Sequence, residues 1–257
     1  MTIRKEEEIQ SSKEKIRLSV GVGLIIRDED GNYYLFANKK RSAKDKPNYG
    51  IIGGSVKLSS ELDEGLTQEG DDFRVSGFSN EEAAIDFFNS QSDLLNPLAD
   101  LARELGEELG PEELDVLIKK GFQVEGANVS NTAITSLIKS IKKNPGIYFF
   151  PLEISGRTNI PSLRFLILYE YKMGEKSANN KEINQFIRDN SISISDFLNS
   201  DSDLSPNIFL KITPEEIENI LGGKEAVREG ENYVIVCGNY RISIAGQIGA
   251  LDNRLKT

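Results

Sequence analysis

The sequence predicts an α/β fold, and three observations predict it. Runs of strand composition alternate with runs of helical spacing, no internal repeat or clear linker interrupts them, and the length allows one large core or two small ones. We therefore expect one elaborated domain over residues 16–257. Residues 1–15, charged and without an apolar stripe, read as a flexible arm.

The first element is a hairpin. Leu18 to Arg27 has strand composition, Asp28-Glu29-Asp30-Gly31-Asn32 supplies a turn, and Tyr33 to Lys39 returns as a second strand. Gly21 and Gly23 fall on one face of the first strand, where a missing side chain admits a close neighbour or a ligand. Lys39, Lys40, Arg41, Lys44 and Lys46 then form the only dense basic patch of an acidic chain, readable as a solvated loop or as a contact for a phosphate-bearing substrate. Asn48 to Val56 is a short apolar strand carrying the pair Gly53-Gly54, a step at which the backbone can bend tightly or approach a ligand.

Residues 57–93 differ in character. Ser59 to Asp72 is polar and acidic, as expected of a mobile loop, and Ser79-Asn80-Glu81-Glu82 is a capping-box pattern opening a short helix through about Asn89. Asn96 as N-cap and Pro97 at the first helical position start the next helix, Gly110 ends it, and Pro111-Glu112-Glu113 begins another short helical segment or turn. Strand-like runs follow at Gly121 to Glu125, Ile147 to Ile154 and Leu163 to Tyr171, with helical spacing from Thr132 to Lys143 between the first two. Lys181 to Leu198 includes a helix. Ile208 to Ile212 is a short strand leading to Thr213-Pro214-Glu215-Glu216, a second capping box whose helix Gly222-Gly223 stops. Finally Tyr233 to Cys237 and Tyr240 to Ile244 flank Gly238-Asn239, a two-residue hairpin signal, although the second run could instead open a C-terminal helix.

The helix from Asn96 to Gly110 organises the rest. Leu98, Leu101, Ala102, Leu105 and Leu109 make its apolar stripe, and Glu104, Glu107 and Glu108 gather on the flank. Like charges three and four residues apart repel by roughly 0.2–0.5 kcal/mol per pair. Two of these acids sit in the last turn, where the helix dipole favours cations, and Gly106 costs about 1 kcal/mol against alanine. Local rules broken together mark an expected functional site. A bound divalent cation, Mg²⁺ in particular, would relieve the repulsion; a solvated acidic face is the bland reading.

Composition removes several chemistries. The chain has no histidine, which excludes Ser-His-Asp and Cys-His catalysis, histidine-ligated zinc and a histidine general base. Its one cysteine, Cys237, cannot form an internal disulfide and reads as a buried thiol. A formal net charge of −10 argues against nonspecific binding to nucleic acid or an anionic membrane, though not against a nucleotide. No run approaches the roughly 18 apolar residues of a membrane span and no signal-peptide pattern opens the chain, so a cytoplasmic location is expected.

Several of these pieces, in this order, resemble the Nudix hydrolase superfamily. Its box has a glycine, a glutamate six residues on, then Arg-Glu-aliphatic-X-Glu-Glu-X-Gly-aliphatic; Arg103-Glu104-Leu105-Gly106-Glu107-Glu108-Leu109-Gly110 fits the second half. Tyr49-Gly50-Ile51-Ile52-Gly53-Gly54 resembles the strand and glycine pair that lead into the box. The first half departs: an unbroken box would need a glycine at Asn89 and a glutamate at Leu95. Taking Gly54 as the box glycine makes about residues 57–93 an insertion, with Glu61 or Glu64 a stand-in for the missing glutamate. Pro111 replaces the final aliphatic residue.

The resemblance implies a Nudix-like mixed β-sheet packed between helices, with an inserted loop and helix before the box helix and a C-terminal extension over about residues 222–257. It implies a pyrophosphohydrolase, using Mg²⁺ or Mn²⁺ to cleave the diphosphate linkage of a nucleoside diphosphate joined to another group. Glu104, Glu107 and Glu108 would be metal ligands, Glu104 and Glu107 with Arg103 the catalytic set, and Gly53, Gly54, Lys39 and Arg41 substrate contacts. Glu182 resembles the family's later ligand glutamate, with solvated surface the competing reading. Family members often dimerise, so a homodimer is one arrangement implied. Tyr33, Tyr34, Tyr49, Phe87 and Phe88 could each stack a base or pack the core. The lost glutamate and the insertion motivate an alternative, a noncatalytic Nudix-fold nucleotide sensor or interaction module. A structural protein with a merely acidic helix is the third reading.

Overall fold

The computed structural model describes residues 15–58, 60–126, 129–141, 144–154, 160–174, 180–199, 205–237 and 240–251. It is a mixed α/β structure with a large mixed sheet and several helices. In chain order the elements are β1 (Ile16–Arg27), β2 (Tyr33–Ala37), β3 (Asn48–Gly50), β4 (Ile52–Ser55), β5 (Thr67–Gln68), β6 (Arg74–Phe78), α1 (Glu81–Gln91), α2 (Pro97–Glu108), α3 (Pro111–Lys119) and α4 (Asn131–Ser140). There follow β7 (Gly146–Ile154), β8 (Pro161–Lys172), α5 (Lys181–Asp189), β9 (Ser191–Ser193), α6 (Ile194–Asn199), β10 (Phe209–Ile212), α7 (Pro214–Leu221), β11 (Val227–Glu229), β12 (Asn232–Cys237) and β13 (Tyr240–Ala245). Residues 1–14 of the charged arm, the side chain of Cys237 and the Gly238-Asn239 turn lie outside the described residues. No helix among those described is long and apolar enough to cross a membrane.

The chain divides into two compact units, each assembled from three stretches. The first takes the chain up to Val22, Gly54–Leu101 and Gly146–Leu168. Its core is aromatic: Phe73, Phe78, Phe87 and Phe88 are buried, and the Phe88 ring stacks on Phe165 at a centroid distance of 4.1 Å. Here the sequence reading needs correction. The polar stretch read as a loop contains β5, which pairs antiparallel with β6, and β6 pairs antiparallel with the start of β1, Leu18 opposite Val75. Burial of Phe73 and Val75 pins these strands, so a large part of residues 57–93 is core of this unit. The N-cap of α1 is Asn80, one residue later than the capping box expected; its Oδ1 accepts the Ala83 N–H at 2.8 Å. A Cβ on Gly21 would lie 3.2 Å from both the Gly54 carbonyl and Leu166, so a close neighbour accounts for that glycine.

The second unit takes Gly23–Gly53, Ala102–Pro145 and the chain from Tyr169 onward. The hairpin of β1 and β2 is antiparallel, Ile26 opposite Tyr34, and the Asp28 carboxylate closes its turn by accepting the Asn32 N–H at 2.8 Å. Antiparallel β2–β10 and β2–β3 and parallel β3–β13 and β9–β10 make the sheet of this unit mixed. β12 and β13 pair antiparallel, which settles Tyr240 to Ile244 as a strand. One further correction arises. Gly121 to Glu125 makes only an isolated bridge, Gln123 with Asn207, because its backbone is engaged elsewhere: the Glu125 N–H and C=O both bond the side chain of Asn190. Lys181 to Leu198 includes the expected helix, α5, followed by β9 and α6.

Candidate functional site

The local chain explains why α2 runs where it does. Asn96 Oδ1 accepts the Ala99 N–H at 3.3 Å, Pro97 occupies the first turn, and the Asp100 carboxylate accepts the Lys57 N–H at 3.2 Å. Leu101, Leu105 and Leu109 are buried, as the stripe requires. At the far end the Gly110 N–H bonds the Glu107 carbonyl at 3.2 Å, and a Cβ on Gly110 would come within 2.7 Å of the Gly106 carbonyl. Crowding therefore demands glycine where α2 stops and α3 starts. Glu112 and Glu113, in the first turn of α3, sit where the helix dipole favours anions.

The charges of α2 are organised around Arg103 and Lys39. Arg103 Nη2 bonds Glu104 Oε1 at 2.7 Å and Nη1 bonds Glu107 Oε1 at 3.1 Å. Burial works against this guanidinium, but the bonds to Glu107 and Glu104 outweigh it and raise its pKa. Glu108 is partly buried, and burial pushes its carboxyl up to about 7; Glu113 and Glu104 push the same way, while Lys39 and Lys40 oppose them. Lys39 in turn forms an ion pair with Glu113. The basic patch is therefore tied to α3 through Lys39, and the charges of Lys39 and Lys40 reach Glu108 of α2.

The turn that carries the lysines is firmly built. Asn38 Oδ1 accepts the N–H groups of Lys40 and Arg41 at 3.0 and 3.1 Å, and the Asn38 carbonyl accepts from Arg41 and Ser42 at 3.1 and 2.9 Å. Lys120 Nζ donates to the carbonyls of Lys39 and Ser42. Lys40 and Arg41 are exposed. Glu113 and Lys120, which sequence reasoning did not nominate, are thus integral to the site. Their contacts reach 74 and 81 positions along the chain, and no local spacing announces such pairs.

The remaining candidates have local settings of their own. Glu182 accepts the Ser130 N–H at 2.9 Å and the Ser130 hydroxyl at 3.1 Å, so its carboxylate is engaged at the start of α4. Gly53 has φ 149, a conformation that favours glycine, and Gly54 follows in the strand. Tyr33, Tyr34, Tyr49, Phe87 and Phe88 are all buried, so core packing explains each of these rings, and none is exposed to stack a base.

Carboxylate oxygens suit a hard divalent cation in chemistry. Glu104 and Glu107 bond Arg103, Glu108 feels the charges of Lys39, Glu113, Glu104 and Lys40, and among the described residues no three Asp, Glu or Cys side chains form a group that could hold a metal ion. No protein-family model, curated protein or solved structure matches this chain.

Proposed function

We propose that the chain is a Mg²⁺- or Mn²⁺-dependent hydrolase of the diphosphate linkage in a nucleoside diphosphate joined to another group. The observation that supports this reading best is that the charges of Lys39 and Lys40 reach Glu108, which links two stretches nominated separately in the sequence, the Lys39 to Arg41 turn and the Arg103 to Glu108 half-box. Lys39, Lys40 and Arg41 supply the positive charge a diphosphate needs in a chain of net charge −10. Arg103 orients Glu104 and Glu107 through charge-assisted bonds. Glu108, with its pKa near 7, can accept or return a proton at neutral pH. The test is release of nucleoside monophosphate from ADP-ribose with Mg²⁺ or Mn²⁺ added. Glu107→Gln is expected to lower the rate by at least about 100-fold; full activity in that variant removes the carboxylates from the chemistry.

The second reading, a noncatalytic nucleotide sensor, is favoured by one observation, the commitment of Glu104 and Glu107 to Arg103. Calorimetry separates the two. A sensor binds the intact nucleotide with metal present and releases no monophosphate.

A further inference from the structure

The turn from Asn38 to Ser42 presents its three cations unequally. Its backbone is pinned at both flanks: besides the bonds within the turn, the Asn38 N–H donates to the Asn48 carbonyl at 2.7 Å, and Ser42 Oγ donates to that same carbonyl at 3.1 Å. Lys120 Nζ clamps two carbonyls of the turn from α3. What can rearrange is therefore the side chains. Lys40 and Arg41 are exposed and form no ion pair with a described residue, whereas Lys39 is three-quarters buried and paired with Glu113, itself buried to the same degree. That pairing joins the one sheltered cation of the turn to a carboxylate belonging to neither the half-box nor the turn.

We infer that Glu113 is an internal competitor for the anionic ligand: in the free protein its carboxylate occupies Lys39, and a diphosphate must displace it to engage that lysine. The inference rests on reading this surface as a diphosphate site. Glu113 is a positioning residue; it acts only through Lys39 and touches no reacting atom. Both groups are oppositely charged and partly desolvated, so their attraction is strong enough to matter, and a ligand carrying more negative charge than one carboxylate can outbid it. Lys40 and Arg41, already free, would make the first contact with the ligand, and Lys39 the second.

Calorimetric titration of the full chain with inorganic pyrophosphate, metal-free and at fixed ionic strength, tests this. Glu113→Gln is expected to bind pyrophosphate about fivefold more tightly than the wild type, Lys39→Gln more weakly, and the double variant no more tightly than Lys39→Gln. Circular dichroism melts confirm that each variant folds. Equal affinity in Glu113→Gln and wild type overturns the competitor role, as does a gain that persists without Lys39, since that gain would be general charge removal. Absence of pyrophosphate binding in wild type and every variant overturns the diphosphate site and the competitor together.

Discussion

Glutamates stand at two kinds of helix end in this protein, and the contrast separates acids that serve the fold from acids that do not. At the start of α7 Glu216 completes a capping box: its carboxylate accepts the Thr213 N–H at 2.7 Å while Thr213 Oγ1 accepts the Glu216 N–H at 3.1 Å. The negative charge faces the positive end of a helix, and two backbone donors are satisfied. Glu182 does similar work at the start of α4. At the end of α2 the signs reverse. Glu107 and Glu108 face the negative end of the dipole, and no basic residue lies in the last turn of the helix. Stability explains the first group fully. It leaves the second unexplained.

The sharpest way to break the contrast is through Glu108. Its folded pKa is about 7 against an ordinary 4.5, so below pH 4.5 both states hold the proton and the site costs nothing. Between pH 4.5 and 7 the unfolded chain releases the proton first, and stability falls as pH rises. Above pH 7 the full cost stands, at most about 3 kcal/mol. Glu108→Gln should remove it. Denaturation at pH 5 and pH 8 should show the variant gaining on the wild type as pH rises, with most of the gap opening before pH 7. A gap that is flat with pH would mean that burial does not hold this carboxyl protonated, and Glu108 would rejoin the ordinary surface acids.

How far the sequence made this legible depends on how local each signal is. The capping box of α7, the Asn96-Pro97 start of α2 and its leucine stripe are all written within a few residues, and each forms as read. β5 and β6 were hidden because Ser59 to Asp72 is polar and the burial that fixes them comes from Phe73 and Val75, which look unremarkable in a short run broken by Gly77. Phe122 and Val124 imitate a strand, but the amide of Asn190, far along the chain, takes the backbone bonds a neighbour would need. The site shows the same division. Glu104, Glu107 and Glu108 stand out by spacing and Arg103 through the family resemblance, whereas Glu113 and Lys120 matter only through partners on a distant turn.

Thr213→Ala sharpens the contrast from the other side. It removes the hydroxyl that accepts the Glu216 N–H and leaves the Glu216 carboxylate with one half of its box. A loss of about 1 kcal/mol is expected in urea unfolding. Release of nucleoside monophosphate should be unchanged, because among the described residues no hydrogen bond or ion pair joins either residue to the α2 cluster. A loss of activity exceeding the loss of folded protein would erase the division between the two groups.

The smallest stability effect is expected at Glu107, and its smallness carries the argument. Its side chain is 56% exposed, and its pair with Arg103 is an (i, i+4) contact on a helix surface. Solvent screens such pairs to about 0.3–0.5 kcal/mol. The last-turn position works against the charge by a similar amount, so the two contributions offset. Glu107→Gln should therefore shift the unfolding free energy by less than about 0.5 kcal/mol in either direction. Set beside the large loss of activity expected for the same variant, a near-silent melt would mark Glu107 as a residue kept for chemistry. If Glu107→Gln instead costs more than about 1 kcal/mol, the Arg103 pairing is structural, and the acids at the end of α2 belong with Glu216 after all.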